Sequence, residues 1–273
     1  MKIIAIPLLF LVLLLTSCKD NDTSSDFGTN SEDPDRIPAA PLISYSIVNA
    51  YPHDTASFTE GLTFYNGQLY ESTGSPEEPE NSGSWIGAID ITTGKSQKKI
   101  NQGSSLFGEG ITFLHDKVYQ LTYRSEIGFV YDAKTFKKLR QFSYKGEGWG
   151  LTNDGVSLIM STGTSNLYYL QPDSLKFTRM IAIQDNNGYV NNINELEYID
   201  GFIYANKWLS GELLKIDPAT ARVVGRMDFS KLVAEVKSKY PEAAEMNGIA
   251  YDSATKKMFI TGKKWPLLYE IRF

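Results

Sequence analysis

The chain has a single cysteine, Cys18, and two histidines, His53 and His115, in 273 residues. One thiol closes no internal disulfide, so a small scaffold stapled by disulfides is excluded. Three such side chains also leave too few ligands for a zinc site built from histidine and cysteine. Basic charge is scarce as well: 27 Lys and Arg stand against 32 Asp and Glu, a formal net charge of −5. That balance opposes a nucleic-acid backbone, which calls for clustered cations. Long apolar runs are missing too. The longest, residues 3–15, is interrupted by Pro7 and falls short of the roughly 20 residues a spanning helix needs. What is present is 42% hydrophobic and 12% aromatic residues, too much for a disordered chain and enough to build a core. Chemistry in such a chain falls to carboxylates, amides, hydroxyls, lysines and aromatic rings.

The short apolar run follows Lys2 and ends in Leu15-Thr16-Ser17-Cys18. Its length suits the apolar core of a secretion signal. The ending resembles the lipobox of bacterial lipoproteins, in which cleavage precedes a cysteine that is then acylated. Residues 1–17 are therefore expected to be a signal peptide and Cys18 the lipid attachment site. Residues 18–41, rich in Asp, Ser, Asn and Pro, read as a flexible tether. The expected location is the cell envelope, on a lipid anchor at the outer membrane, facing the periplasm or the surface.

The remaining chain, 42–273, repeats one unit five times. In register, the units open with EGLTFYNGQLYESTG from Glu60, EGITFLHDKVYQLTY from Glu109, WGLTNDGVSLIMSTG from Trp149, NELEYIDGFIYANKW from Asn194 and NGIAYDSATKKMFITGK from Asn247. These starts lie 49, 40, 45 and 53 residues apart, a spacing that marks stacked or radial repeats. Each segment reads as two strands around a turn, at Asn66-Gly67, His115-Asp116, Asp154-Gly155, Asp200-Gly201 or Asp252-Ser253. A second hairpin follows in each unit, with Asp90, Asp132 and Asp217 placed where a short acceptor can bond the next amides. Two hairpins make a four-stranded blade, so the expected fold is an all-β, five-bladed propeller. The last unit stops one strand short at Phe273, and the segment 42–50 is expected to supply that strand and close the ring. The insertion 229–245 is expected to hold one short helix near 231–240, with Leu232, Val233 and Val236 on one face.

In such a blade the start of the innermost strand and the end of its partner share one rim. Glu60, Glu109, Trp149, Asn194 and Asn247 converge there, joined by Ser72-Thr73, Tyr123-Arg124, Ser161-Thr162, Trp208 and Lys263. Convergent polar groups among aromatic rings mark a binding site. A carboxylate in a narrow, aromatic-walled mouth loses hydration and its pKa rises, which suits proton exchange near neutrality. Glu60 and Glu109 begin neighbouring blades, and repulsion between them would push one pKa further up.

The motifs FTEGL (Phe58 on), FGEGIT (Phe107 on), GWGLT (Gly148 on), NELEY (Asn194 on), NKW (Asn206 on) and TGKKWP (Thr261 on) together resemble the plant-type glutaminyl-peptide cyclotransferases, which also occur in bacteria. The resemblance runs from about Ser46 to Phe273. It implies a five-bladed propeller that converts N-terminal glutamine of peptides to pyroglutamate and releases ammonia, without a metal cofactor. It makes Glu109 the proton-transfer group, Phe58, Trp149 and Trp208 the aromatic walls, and Asn194 and Lys263 polar contacts. Glu60 stands where many members carry glutamine, and Tyr123 where the family usually has tryptophan. Two rivals use the same rim: a non-catalytic propeller binding a peptide or glycan, and a calcium-dependent lactonase-like propeller. The second would draw oxygens from Glu60, Glu109, Asn194 and Asn247, while Trp149 and Lys263 oppose a cation there. A structural calcium in the channel is compatible with either reading.

Overall fold

The computed structural model of the protein describes residues 37–75 and 83–273. The expected signal peptide, Cys18 and the tether as far as residue 36 lie outside the described residues. The described residues from Ile37 on form one unit of five sheets, antiparallel except where Gln184 pairs in parallel with Arg222.

The first blade runs outward through Thr59–Tyr65, Gln68–Thr73, Ser84–Ile89 and Ser96–Gly103. The second uses Gly108–Leu114, Lys117–Thr122, Ile127–Asp132 and Lys138–Ser143. The third uses Leu151–Asn153, Leu158–Ser161, Asn166–Leu170 and Phe177–Ala182. The fourth is Ile193–Ile199, Phe202–Lys207, Glu212–Asp217 and Arg222–Asp228. Met246–Asp252, Lys257–Gly262 and Leu267–Arg272 make the fifth, completed by Ser46–Pro52.

The turns follow the sequence chemistry. Asn66-Gly67, His115-Asp116 and Asp200-Gly201 have positive φ at both positions, the backbone of a two-residue hairpin turn whose twist matches its strands. In the outer hairpins, Asp90 Oδ1 accepts from the Thr92 amide, Asp132 Oδ1 from Thr135 and Asp217 Oδ1 from Ala219. Five apolar clusters fill the five spaces between adjacent blades.

Ring closure differs from the expectation in its bounds. The closing strand begins at Ser46, and its partner is Leu267–Arg272. The preceding residues go to the fourth blade instead: the Ile43 amide donates to Arg226 O at 2.7 Å, and the Arg226 amide donates to Pro41 O. That blade carries another unforeseen element, a small hairpin of Gln184–Asp185 and Gly188–Tyr189 on its outer edge. Arg226 explains both, because its guanidinium pairs with Asp185 and Glu212 while its backbone holds residues 41–43. The helix spans Ser230–Lys239, with Leu232 and Val236 buried against Phe229, Met246 and Trp265, and Val233 half-buried. The Ser230 amide at its start donates to Asp228 Oδ1.

At the axis, the innermost strands touch through glycine. A Cβ on Gly61 would lie 2.8 Å from Ile111 N, one on Gly110 2.4 Å from Leu151 N, and one on Gly150 2.1 Å from Asn194 O. Each of these contacts is with the backbone of the next blade. Strand pairing slips at Thr59/Gly61, Gly108/Ile111, Ile193/Leu196 and Met246/Ile249. Bulges there turn Glu60, Glu109, Asn194 and Asn247 toward the channel. In the fourth blade the glycine position is taken by Glu195, whose carboxyl accepts from the Leu62 and Ile249 amides, 3.2 and 2.9 Å away. It ties the first, fourth and fifth blades across the axis.

Gly150→Ala should destabilise the protein by about 1–3 kcal/mol, because the new methyl meets backbone that cannot move without shifting a blade. Thermal unfolding should register this as a Tm lowered by roughly 2–4 °C per kcal/mol. An unchanged Tm would mean that the blades can part without cost.

Candidate active site

The bulged strand starts place a small chamber on the axis, about 130 Å³, lined by Phe58, Glu60, Phe107, Glu109, Tyr123, Trp149, Asn194, Trp208 and Lys263. Every rim residue singled out by the family resemblance lies in this one chamber. Phe107 is the addition. It sits in the FGEGIT motif, but its ring reads in the sequence as ordinary strand filling. In the structure it lies edge-on to Phe58, centroids 6.0 Å apart, and 5.6 Å from Tyr123, so three rings form a continuous wall. The opposite wall is Trp149 and Trp208, T-shaped at 5.4 Å.

Two of these walls are braced from outside. Trp149 Nε1 donates to Glu147 Oε2 at 3.0 Å, and Arg124 Nε donates to Glu147 Oε1 at 2.9 Å. Arg124 then lies over the Tyr123 ring, 4.5 Å from its centroid, and donates to its hydroxyl. Arg124 falls on the expected rim, but its role as a brace carries no sequence signal, and Glu147 reads as an exposed connector charge. The phenol at position 123 gives Arg124 a hydroxyl to hold, which an indole would not.

The polar floor is built on one ion pair. Lys263 Nζ lies 2.7 Å from Glu60 Oε1, with both side chains almost fully buried. The ammonium also lies over the Phe58 ring, 4.7 Å from its centroid. Asn247 Nδ2 donates to the other Glu60 oxygen at 3.2 Å and to Thr59 O. Removing one partner of a buried pair leaves an uncompensated charge, typically a loss of about 3–5 kcal/mol.

Glu109 faces this pair. Burial is the largest influence raising its pKa well above the ordinary carboxylate range, and the neighbouring Glu60 charge raises it further. Burial also raises Glu60, to about 7, against the opposing pull of Lys263 and a hydrogen bond from Glu109. One ammonium can neutralise one carboxylate. Lys263 thus favours the charge on Glu60 and leaves Glu109 the better holder of a proton. Asn194 completes the ring of groups, and its buried side-chain oxygen has no partner among the described residues. An unpartnered acceptor in a chamber is costly unless a ligand donates to it. Among the described residues, no three His, Cys, Asp or Glu side chains converge in a way that could hold a metal ion. His53 lies elsewhere, buried between Glu71 and Trp265 O, where it joins the closing strand to the first and fifth blades.

Fold and chamber together define a five-bladed propeller with an aromatic-walled, proton-holding site on its axis. The chain belongs to the glutamine cyclotransferase family, whose sequence profile matches residues 11–273. It is 36% identical over 229 residues to a glutaminyl-peptide cyclotransferase of Arabidopsis thaliana, spanning 83% of this chain and 70% of that protein. Its fold is similar to the crystal structure of Myxococcus xanthus glutaminyl cyclase, with a TM-score of 0.75 and 34% identity over 86% of this chain and 97% of that one.

Buried acids set the pH response of stability. Burial pushes Glu197 up to about 8, and Glu195 and Glu109 are also raised. Between roughly pH 4.5 and these values the native state holds protons that the unfolded chain has released, so stability falls as pH rises. Urea unfolding at pH 5, 7 and 9 should show this decline, and Glu197→Gln should flatten it. Equal slopes for both proteins would mean that Glu197 is ionised in the native state.

Proposed function

We propose that this chain cyclises the N-terminal glutamine of peptides and proteins to pyroglutamate, with release of ammonia. The observation that carries the reading is Glu109, buried beside the Glu60–Lys263 ion pair in an aromatic-walled chamber that raises its pKa. Membership of the glutamine cyclotransferase family supports it.

In the reaction the substrate's α-amine attacks its own γ-carbonyl carbon. Nucleophile and electrophile belong to one residue, so the protein's tasks are to curl it and to move two protons. The indoles of Trp149 and Trp208 and the rings of Phe58, Phe107 and Tyr123 enclose the aliphatic part and exclude water. The free acceptor of Asn194 takes a hydrogen bond from a substrate N–H. Lys263, held by Glu60, donates toward the carbonyl oxygen as negative charge develops there. Glu109 starts with its proton and passes it to the departing nitrogen, which leaves as ammonia when the C–N bond breaks. The resulting carboxylate accepts the proton released by the new ring nitrogen, and Glu109 is restored. No step draws on a metal. Against the lactonase-like alternative, the position beside Glu60 already holds a cation, the Lys263 ammonium.

A coupled ammonia assay on Gln-initiated peptides, with a chelator present, tests the reading. Full activity is expected in the chelator, and Glu109→Gln should lower kcat by about 10²–10⁴-fold while the fold is kept. Loss of wild-type activity in the chelator would overturn metal independence, and full activity in the variant would remove Glu109 from the chemistry.

We also propose that Cys18 carries a lipid that holds the enzyme to the cell envelope, a reading supported by residues 2–18 of the sequence. Cys18→Ser should move the protein from the detergent to the aqueous phase on detergent partitioning and abolish labelling by fatty acid. Persistent labelling would place the anchor elsewhere.

A further inference from the structure

The axial chamber is small, about 130 Å³, and a peptide substrate brings a chain behind its first residue. Beside the chamber lies a larger groove, about 610 Å³, within the roughly 300–1,000 Å³ range of ligand pockets. One bank is the turn from Leu209 to Glu212, and the other is the helix Ser230–Lys239 with Val233, Ala234 and Lys237. The two cavities adjoin through the chain itself. Trp208 walls the chamber and Leu209 walls the groove. Lys263 lies in the chamber, and its amide donates to the backbone oxygen of Glu245, which lines the groove. The Glu245 charge reaches both Glu60 and Lys263.

The lining is apolar in part and acidic in part. Leu42, Leu209, Val233, Ala234 and Met246 supply carbon, and Leu209 is 64% exposed. Leu209 also holds a positive φ of 60°, uncommon for a residue other than glycine. Of the acids, Glu212 is neutralised by Lys207 and Arg226. Asp228 and Glu245 have no cation within ion-pair distance among the described residues, and Lys237 is the one lysine on the lining. The lining itself carries three acids and one lysine, with Lys231 also acting on Asp228.

We propose that this groove seats the residues following the N-terminal glutamine of the substrate, favouring an apolar side chain followed by a basic one. The inference rests on the cyclase reading, because it takes the axial chamber as the place where glutamine reacts. A peptide leaving the chamber past Trp208 meets Leu209 first, then the acids Asp228 and Glu245. The groove would lower KM for long substrates without touching the reacting atoms.

The test compares a Gln-initiated dipeptide amide with pentapeptides carrying either lysine or glutamate beyond an apolar second residue. For the wild-type enzyme, kcat/KM should rise by about tenfold from the dipeptide to the lysine pentapeptide, chiefly through KM, and less for the glutamate pentapeptide. Ala234→Trp, on the exposed face of the helix, fills the groove. It should remove the pentapeptide advantage and leave the dipeptide within about twofold. Equal rates for all three substrates in the wild type, or an Ala234→Trp effect that is the same on dipeptide and pentapeptide, would overturn the groove while leaving the cyclase reading intact. Absence of ammonia release from every peptide would overturn both.

Discussion

Five inner strands crowd one axis, and the rest of the structure follows from how they share it. Where Gly61, Gly110 and Gly150 back onto the next blade, the strands approach more closely than a Cβ allows. The residue before each glycine is then directed into the channel, since side chains alternate along a strand. The bulges complete this by breaking pairing where the side chain must turn. Close packing at the axis and a ring of functional groups are thus one arrangement. The repeated pair of a channel residue followed by glycine is its signature in the sequence. The exception is informative: Glu195 replaces glycine in the fourth blade and uses its length to bond amides of two other blades.

The same crowding determines the electrostatics. Glu60, Glu109 and Lys263 are brought together without bulk water, so their charges must balance locally. One lysine balances one carboxylate, and the second keeps its proton. A surface arrangement of the same three residues would leave both acids ionised, because solvent would screen their repulsion. Burial therefore converts an ordinary glutamate into an acid available at neutral pH. Asn247 and Phe58 hold the ion pair in place, which fixes which of the two carboxyls is charged.

Much of this was legible in the sequence, for identifiable reasons. Repeat spacing and turn pairs such as Asn66-Gly67 depend on local chemistry, so blade number and strand order could be read directly. The convergence of Glu60, Glu109, Trp149, Asn194, Trp208 and Lys263 follows once strand starts and ends are assigned to one rim. The roles of Phe107 and Glu147 could not be read this way, nor could the bracing role of Arg124, although the same assignment puts it on the rim. Their partners come from other strands and connectors, and nothing in their own neighbourhoods distinguishes a wall or a brace from surface. The placement of residues 41–43 on the fourth blade was hidden similarly, since it depends on Arg226 and on a small hairpin that lacks a periodic signal.

The distribution of these elements separates reaction from recognition. The chamber's polar residues stand on the innermost strands or next to them, beside glycines that back onto the next blade. The groove beside them is made of connectors: a turn after Trp208 and a helix inserted between blades. Changes in connectors touch less of the ring, because the helix packs against the fourth and fifth blades and not around the axis. A change at Gly110 or Glu195 would disturb the chamber and the ring together. On the proposed reading, selectivity for the peptide can vary without altering how glutamine is held, whereas the chamber is constrained by the same contacts that close the propeller.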